Sequence, residues 1–300
     1  MIRPIRCLCC LVLVCSLAFY PDWFGLSARA QNDRPEPRVA VLMYHHLSVN
    51  PTKGGTITPE LFRQHLETIR RLGLPVISLN QLAAFLDGQL DLPPASVVLT
   101  FDDGYRSFYT DVFPELRAFN VPAAVFVIVR PTEYPETARP ALPHLSWGEL
   151  REMLASGLVT VGSHSYDQHR FVALPDGKTA PALISRTFLA GPQRGETVDE
   201  YENRVLADFG RANQLFQKNL GSVPKYFAIP YGRYDPWLVR LARVSGYQFV
   251  FTTQPGVVTR SSDPLALPRY NAGSQTVSAT ELELLLRNAL GLPAVPNGKS

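Results

Sequence analysis

From residue 39 onward, short apolar runs alternate with longer stretches whose apolar residues recur at helical spacing. The runs are Val39–Tyr44, Val97–Phe101, Ala123–Val129, Leu158–Val161, Tyr226–Ile229 and Gln248–Phe251. The amphipathic stretches are Pro59–Leu72, Ser107–Phe119, Ser146–Ala155, Val198–Leu220 and Pro236–Ser245, and Thr280–Leu290 closes the series. A run that is apolar at nearly every position belongs to a strand covered on both faces, whereas a half-solvated strand would alternate. Such strands separated by helices predict βα crossovers and a parallel sheet. No internal repeat and no break between two domains is visible, so the pattern predicts a single α/β domain over residues 39–292. Phe171–Thr197 interrupts the rhythm, with Gly and Pro and no clear periodicity. A loop of that length is either functional or a surface insertion, and its start just after His169 suggests a wall or lid of a cleft.

Polar residues gather where the apolar runs stop. His45 and His46 follow the first run, Asp102-Asp103-Gly104 the second, His164 the fourth and Pro230-Tyr231-Gly232 the fifth. In barrels and open α/β sheets the C-terminal ends of parallel strands are where sites are built, so these distant residues are expected to converge. Two adjacent carboxylates repel, and keeping both ionised requires a nearby cation or an asymmetric environment. A divalent metal on one, with the other left free as a base, meets that requirement. His164 and His169 add two imidazoles; an Asp-His-His set with room for water suits a catalytic metal rather than a closed structural one. Five residues along a helix turn a side chain by about 140°, so this pair must lie on an irregular loop.

Composition narrows the chemistry further. All four cysteines (Cys7, Cys9, Cys10 and Cys15) lie in the first thirty residues, where Arg3 and Arg6 precede the apolar stretch Leu8–Tyr20 and Ala28-Arg29-Ala30 follows. This is the form of a secretory leader cleaved before Gln31, too short for a comfortable membrane span, with an uncleaved anchor as the alternative. Export to the periplasm or the outside is expected, with membrane association if the leader stays. Residues 31–38 read as a short lead-in and 293–300 as a polar tail. A mature chain without cysteine excludes disulfides, thiolate nucleophiles and Cys-ligated zinc. Removing Arg3, Arg6, Arg29 and Asp22 takes the balance from 29 basic and 26 acidic residues to 26 and 25, so nucleic acid is not an expected partner. No Gly-x-Ser-x-Gly elbow supports serine hydrolase chemistry.

Thr100-Phe101-Asp102-Asp103-Gly104, His164 to His169 and Pro230-Tyr231-Gly232 together resemble the polysaccharide deacetylases of carbohydrate esterase family four. Val97–Tyr109 and the His-x4-His spacing are most similar to the subgroup of poly-β-1,6-N-acetylglucosamine N-deacetylases. The resemblance implies a single-domain distorted (β/α) barrel of about seven strands. It implies Asp103, His164 and His169 as metal ligands and Asp102 as the general base. Sequence alone does not choose between His45 and His46; the family pattern selects His45 as the general acid. The resemblance also gives the Tyr231 backbone N–H to the oxyanion. Zinc is the default metal for such a set, and nickel, cobalt, iron or manganese are compatible with it. The wider family carries an arginine where this chain has Phe227, and Arg269, in Leu267-Pro268-Arg269-Tyr270, is the candidate substitute as partner of Asp102.

The implied activity is hydrolysis of N-acetyl groups from a β-1,6-linked N-acetylglucosamine polymer of biofilms, releasing acetate, alongside proteins that export or modify the polymer. Deacetylation of peptidoglycan or chitin oligomers, or polysaccharide binding with weak catalysis, would use the same fold. His65 and His144 are assigned to no site. Tyr105, Trp147 and Trp237 are candidates to stack on sugar rings, though such aromatics are commonly core or rim.

Overall fold

A computed structural model of the protein describes residues 35–51, 54–137 and 142–293. The expected leader, residues 31–34 of the lead-in and the tail from residue 294 lie outside the described residues. Among those described, no helix is long and apolar enough to cross a membrane.

The central sheet has seven strands: β1 (Arg38–Tyr44), β2 (Ala95–Phe101), β3 (Ala123–Val127), β4 (Val159–Ser163), β5 (Tyr226–Ala228), β6 (Phe249–Phe251) and β7 (Tyr270–Asn271). Their order is β6-β5-β4-β3-β2-β1-β7, and every neighbouring pair is parallel. β1 and β2 run in register from Arg38 opposite Ala95 to Tyr44 opposite Phe101, so His45 and Asp102 leave the sheet side by side. The two edges are joined by an irregular segment. Val258 exchanges backbone hydrogen bonds with Val39, and Leu267 donates to Val250 and accepts from Thr252, all at 2.8–2.9 Å. The result is the expected distorted barrel, closed on one side by loop backbone.

Alternation along the strands divides the core. Val39, Val41, Val98, Ala124, Phe126, Ala228, Phe249 and Phe251 form one buried cluster. Ala40, Leu42, Tyr44, Val97, Leu99, Phe101, Val125 and Val161 face the other way, against α1 (Pro59–Arg71) and other helices. Both faces are therefore apolar, which is why the runs read as continuous. α2 (Leu79–Leu86) packs Leu79, Leu82 and Phe85 into the first cluster and closes the N-terminal strand ends, where Ile77 donates to Val97 O. The apolar pattern does not announce this short helix, but its Ser78/Gln81 capping box is visible in the sequence.

Among the described residues, and besides a five-residue helical turn at Val129–Glu133, the remaining α-helices are α3 (Phe113–Phe119), α4 (Trp147–Ala155), α5 (Val198–Leu220), α6 (Pro236–Val244) and α7 (Ala279–Leu290). Two expectations need correction. The Ser107–Phe119 stretch opens as a π-helix over Phe108–Val112, with Phe113 donating to Phe108 O, before α3 begins. Pro114 has no N–H to return to Thr110 and its ring crowds that carbonyl, so the turn widens. Ala123–Val129 leaves the sheet after Val127, because Val129 N–H turns to donate to Ser165 O at 3.1 Å. The Phe171–Thr197 stretch is also more ordered than its periodicity suggests. It forms two small antiparallel pairs, Phe171–Ala173 with Thr179–Pro181 and Phe188–Leu189 with Arg194–Gly195.

Candidate metal centre and active site

The parity of β2 sets the site. Val98 faces the first cluster, and Thr100 shares its side, accepting from Arg269 Nη1 at 3.3 Å while donating to Leu42 O. Asp102 continues that series just past the strand end and is buried. Asp103 then takes a positive φ of 72° and Gly104 one of 73°. A Cβ on Gly104 would lie 3.2 Å from Val127, so the turn that brings the second carboxylate round needs glycine next to it. Ser165 (φ 77°) and Tyr231 (φ 60°) are also left-handed. Among the described residues, three of the five non-glycine positions with positive φ thus surround one spot, the clustering expected where a site holds backbone strain.

Asp103, His164 and His169 converge on that spot. Asp103 Oδ1 lies 3.4 Å from His164 Nε2 and 3.3 Å from His169 Nε2. His164 Nδ1 donates to Ala228 O at 2.8 Å, which orients the ring and leaves the Nε2 lone pair facing Asp103. Asp103 Oδ1 is buried with no hydrogen-bond partner. One orphaned carboxylate oxygen between two aimed imidazole nitrogens fits a divalent cation by the chemistry of the donors. Burial raises the Asp103 carboxyl, but the close approach of the His164 ring, with His169 and His45 beyond it, outweighs burial and holds the group far below the usual carboxylate range. Burial and the neighbouring His164 push His169 down to about 4, so its ring is neutral near pH 7, as a ligand must be.

Asp102 is held differently. Arg269 is fully buried and donates from Nη1 to Asp102 Oδ1 and from Nη2 to Oδ2, both at 2.7 Å. Its Nε donates to Thr252 O at 2.9 Å, which fixes the fork. Burial alone would raise Asp102; the Arg269 guanidinium, with smaller contributions from His164 and His45, holds it below its ordinary value. Phe227, at the place of the wider family's arginine, is a buried core ring against Phe209 and Tyr247. The charged partner of Asp102 therefore arrives from the segment that closes the barrel.

His45 is half-buried beyond β1, with its Nδ1 buried and unpartnered, and it is near enough to lower both Asp102 and Asp103. His46 points elsewhere and bonds Ser107 Oγ through Nδ1 at 2.8 Å. Tyr231 sits in a one-turn segment, Pro230–Gly232, with its ring 4.4 Å from that of His169 and 4.7 Å from Phe171. A Cβ on Gly232 would come within 2.0 Å of Thr253, which fixes glycine there. His65 is in the core, bonded to Tyr44 Oη and Val277 O. His144 packs on Tyr105, which in turn meets His46, so these three rings form one rim. Trp147 packs on Phe216 and donates to Glu133, while Trp237 is exposed under Arg240. Exposed rings beside His169 come instead from Tyr231 and, next to it, Phe171.

Two residues of α5 were not among the expected site residues. Asp208 accepts from the backbone N–H groups of Tyr166 and Asp167, and Arg204 donates to Gln168 Oε1. The available signal was a charged residue on the buried stripe Tyr201, Val205, Phe209, Ala212 and Phe216 of an amphipathic helix.

A model of the polysaccharide deacetylase family matches residues 89–250, more than half of the chain. The poly-beta-1,6-N-acetyl-D-glucosamine N-deacetylase of Escherichia coli K12 is 28% identical over 255 residues, covering 81% of this chain and 38% of the relative. The chain thus spans about two fifths of that relative's length. The BpsB deacetylase domain from Bordetella bronchiseptica is 32% identical with a TM-score of 0.70, over 79% of this chain and 97% of that one. A de-N-acetylase from Aggregatibacter actinomycetemcomitans superposes with a TM-score of 0.73 at 26% identity, over 83% of this chain and 99% of that one. The strand-end motifs, the curled parallel sheet and these matches agree: the chain belongs to the polysaccharide deacetylase family.

Proposed function

We propose that the protein hydrolyses N-acetyl groups of poly-β-1,6-N-acetyl-D-glucosamine, releasing acetate and leaving free amines on the polymer. The observation that carries this reading is the pair of unlike carboxylates. Asp102 is gripped by Arg269 while the adjacent Asp103 faces two imidazoles with an orphaned oxygen. Asp103, His164 and His169 would hold a divalent metal, zinc by default. Such an ion, when bound, acidifies water and polarises the amide carbonyl.

The chain's own residues supply the rest. Asp102, kept ionised and oriented by Arg269, takes a proton from the attacking water as its oxygen adds to the acetyl carbon. The Tyr231 backbone N–H donates to the carbonyl oxygen as it becomes negative. His45, on the neighbouring strand end, protonates the amine nitrogen as the C–N bond breaks. Tyr231 and Phe171 offer exposed rings on which a sugar face can lie. The names of the E. coli and other relatives support the β-1,6-linked polymer as substrate. Such a polymer is extracellular, in keeping with the secretory form of residues 1–30 and with export to the periplasm or beyond. Proteins that export or modify the same polymer are then the expected partners.

The test is acetate release from β-1,6-linked and β-1,4-linked N-acetylglucosamine oligomers, comparing wild type with Asp102→Asn and His45→Ala. Preference for the β-1,6 series, with turnover lower by about 10²–10⁴-fold in both variants and metal content retained, is expected. Preference for β-1,4 oligomers would move the substrate to peptidoglycan or chitin. Polymer binding without acetate release under any divalent metal would leave a binding domain.

A further inference from the structure

His164 and His169 are separated by a loop rather than a helix, so something other than regular hydrogen bonding must fix their spacing. The loop makes no ladder of its own, and Ser165 in it is held at φ 77°. Two consecutive backbone N–H groups of the loop share one acceptor. Asp208 Oδ2 receives Tyr166 N–H at 2.9 Å and Asp208 Oδ1 receives Asp167 N–H at 2.8 Å. Both oxygens of one buried carboxylate are thereby spent on consecutive amides midway between the two imidazoles. On the other side of the loop, Val129 and Arg130 donate to Ser165 O and Tyr166 O. Gln168 is tied in by its own N–H to Ser165 Oγ and by Arg204 on its side chain, one helical turn from Asp208.

We propose that Asp208 is the positioning residue of the metal centre: its carboxylate clamps the Tyr166–Asp167 backbone and sets the distance between His164 and His169 before any ion binds. Asp208 touches neither ligand, and its effect is transmitted through the loop. A buried charge on the apolar stripe of a helix is costly unless its bonding is satisfied, and here the satisfaction comes from the site loop alone among the hydrogen bonds of that carboxylate. Asparagine cannot replace it, because its NH₂ would face one of the two donors. The inference rests on the reading of Asp103, His164 and His169 as a metal site.

The experiment is zinc affinity by chelator competition on purified wild type, Asp208→Asn and, as a matched control, Val205→Ala. Val205 is fully buried one turn earlier on α5 and lies outside the loop network, so its truncation lowers thermal stability without freeing the loop. The clamp predicts affinity at least about tenfold weaker in Asp208→Asn. It also predicts wild-type affinity in Val205→Ala at a comparable melting temperature. Asp208→Asn within twofold of wild type overturns the clamp, as does an equal loss in Val205→Ala. Wild type that binds no zinc overturns the metal reading itself, a result distinct from either. Should Asp208→Asn not fold, amide exchange in metal-free wild type decides: slow exchange at Tyr166 and Asp167 supports a preset loop, and exchange at open-loop rates refutes it.

Discussion

Arg269 and Asp102, 167 residues apart in sequence, meet through two parallel hydrogen bonds of 2.7 Å with both side chains buried. The fork leaves Asp102 ionised although it is buried, where burial alone would favour its protonated form. Arg269→Met should therefore raise the Asp102 carboxyl and move the acid limb of the pH–rate profile to higher pH. Turnover at neutral pH should fall by about 10²-fold with metal content unchanged. Arg269→Lys keeps the charge but not the planar fork, so it should recover only part of the loss. An acid limb that stays at its wild-type position in both variants contradicts this role. Removing one partner of a buried pair should also cost roughly 3–5 kcal/mol in stability, measurable by denaturant unfolding.

Asp103 and Asp102 are chain neighbours with opposite expectations. Asp103→Ala should abolish stoichiometric metal binding, since it removes the orphaned oxygen between the two imidazoles. Asp102→Asn should keep it. Metal analysis after dialysis separates them, and equal retention in both would refute the division of labour. Adding metal should raise the melting temperature of wild type by mass action and leave that of Asp103→Ala unmoved.

Much of this was legible because the chemistry sits where apolar runs stop. Asp102, Asp103 and His164 could be placed from the runs that precede them, and β2's alternation decides which carboxylate faces Arg269. Arg269 itself was only a candidate, because the segment before it is irregular and β7 is two residues long. The Phe171–Thr197 pairs lacked periodicity since side-chain bonds to Arg204, rather than a packed face, organise their ends. Asp208 went unnoticed because one acid in a 23-residue amphipathic helix is unremarkable until its backbone partners are known.

Arg204 joins that insertion to the loop between His164 and His169. It donates to both carboxylate oxygens of Glu196, to Ala182 O and Ser185 O, and to Gln168 Oε1 next to His169. Arg204→Met should loosen the insertion, leave Glu196 buried and unpaired, and raise KM for the polymer more than it lowers kcat. A short acetylated oligomer that does not reach the insertion should be affected less. Equal effects on both substrates would mean that the insertion does not line the cleft.

His169 gives the metal-free protein a pH dependence whose sign can be worked out. Its folded value near 4 lies below the ordinary 6.5, so in that window the unfolded chain binds the proton that the folded one refuses. Stability from this group is therefore complete above about pH 6.5 and is lost as pH falls toward 4. Between pH 7 and 4.5 the loss should be about 2 kcal/mol. Burial pushes Asp208 the other way, up to about 6, which adds stability as pH falls through the same range. The two effects partly cancel in wild type, and a single unfolding curve would hide both. Chelator-treated His169→Gln removes the first alone. Relative to wild type, its stability should therefore fall less on going from pH 7 to 4.5, by that same amount. With metal restored at pH 7, wild type should gain stability and His169→Gln should not. A variant whose pH profile runs parallel to wild type would show that His169 titrates as a free imidazole and is not set up to receive an ion.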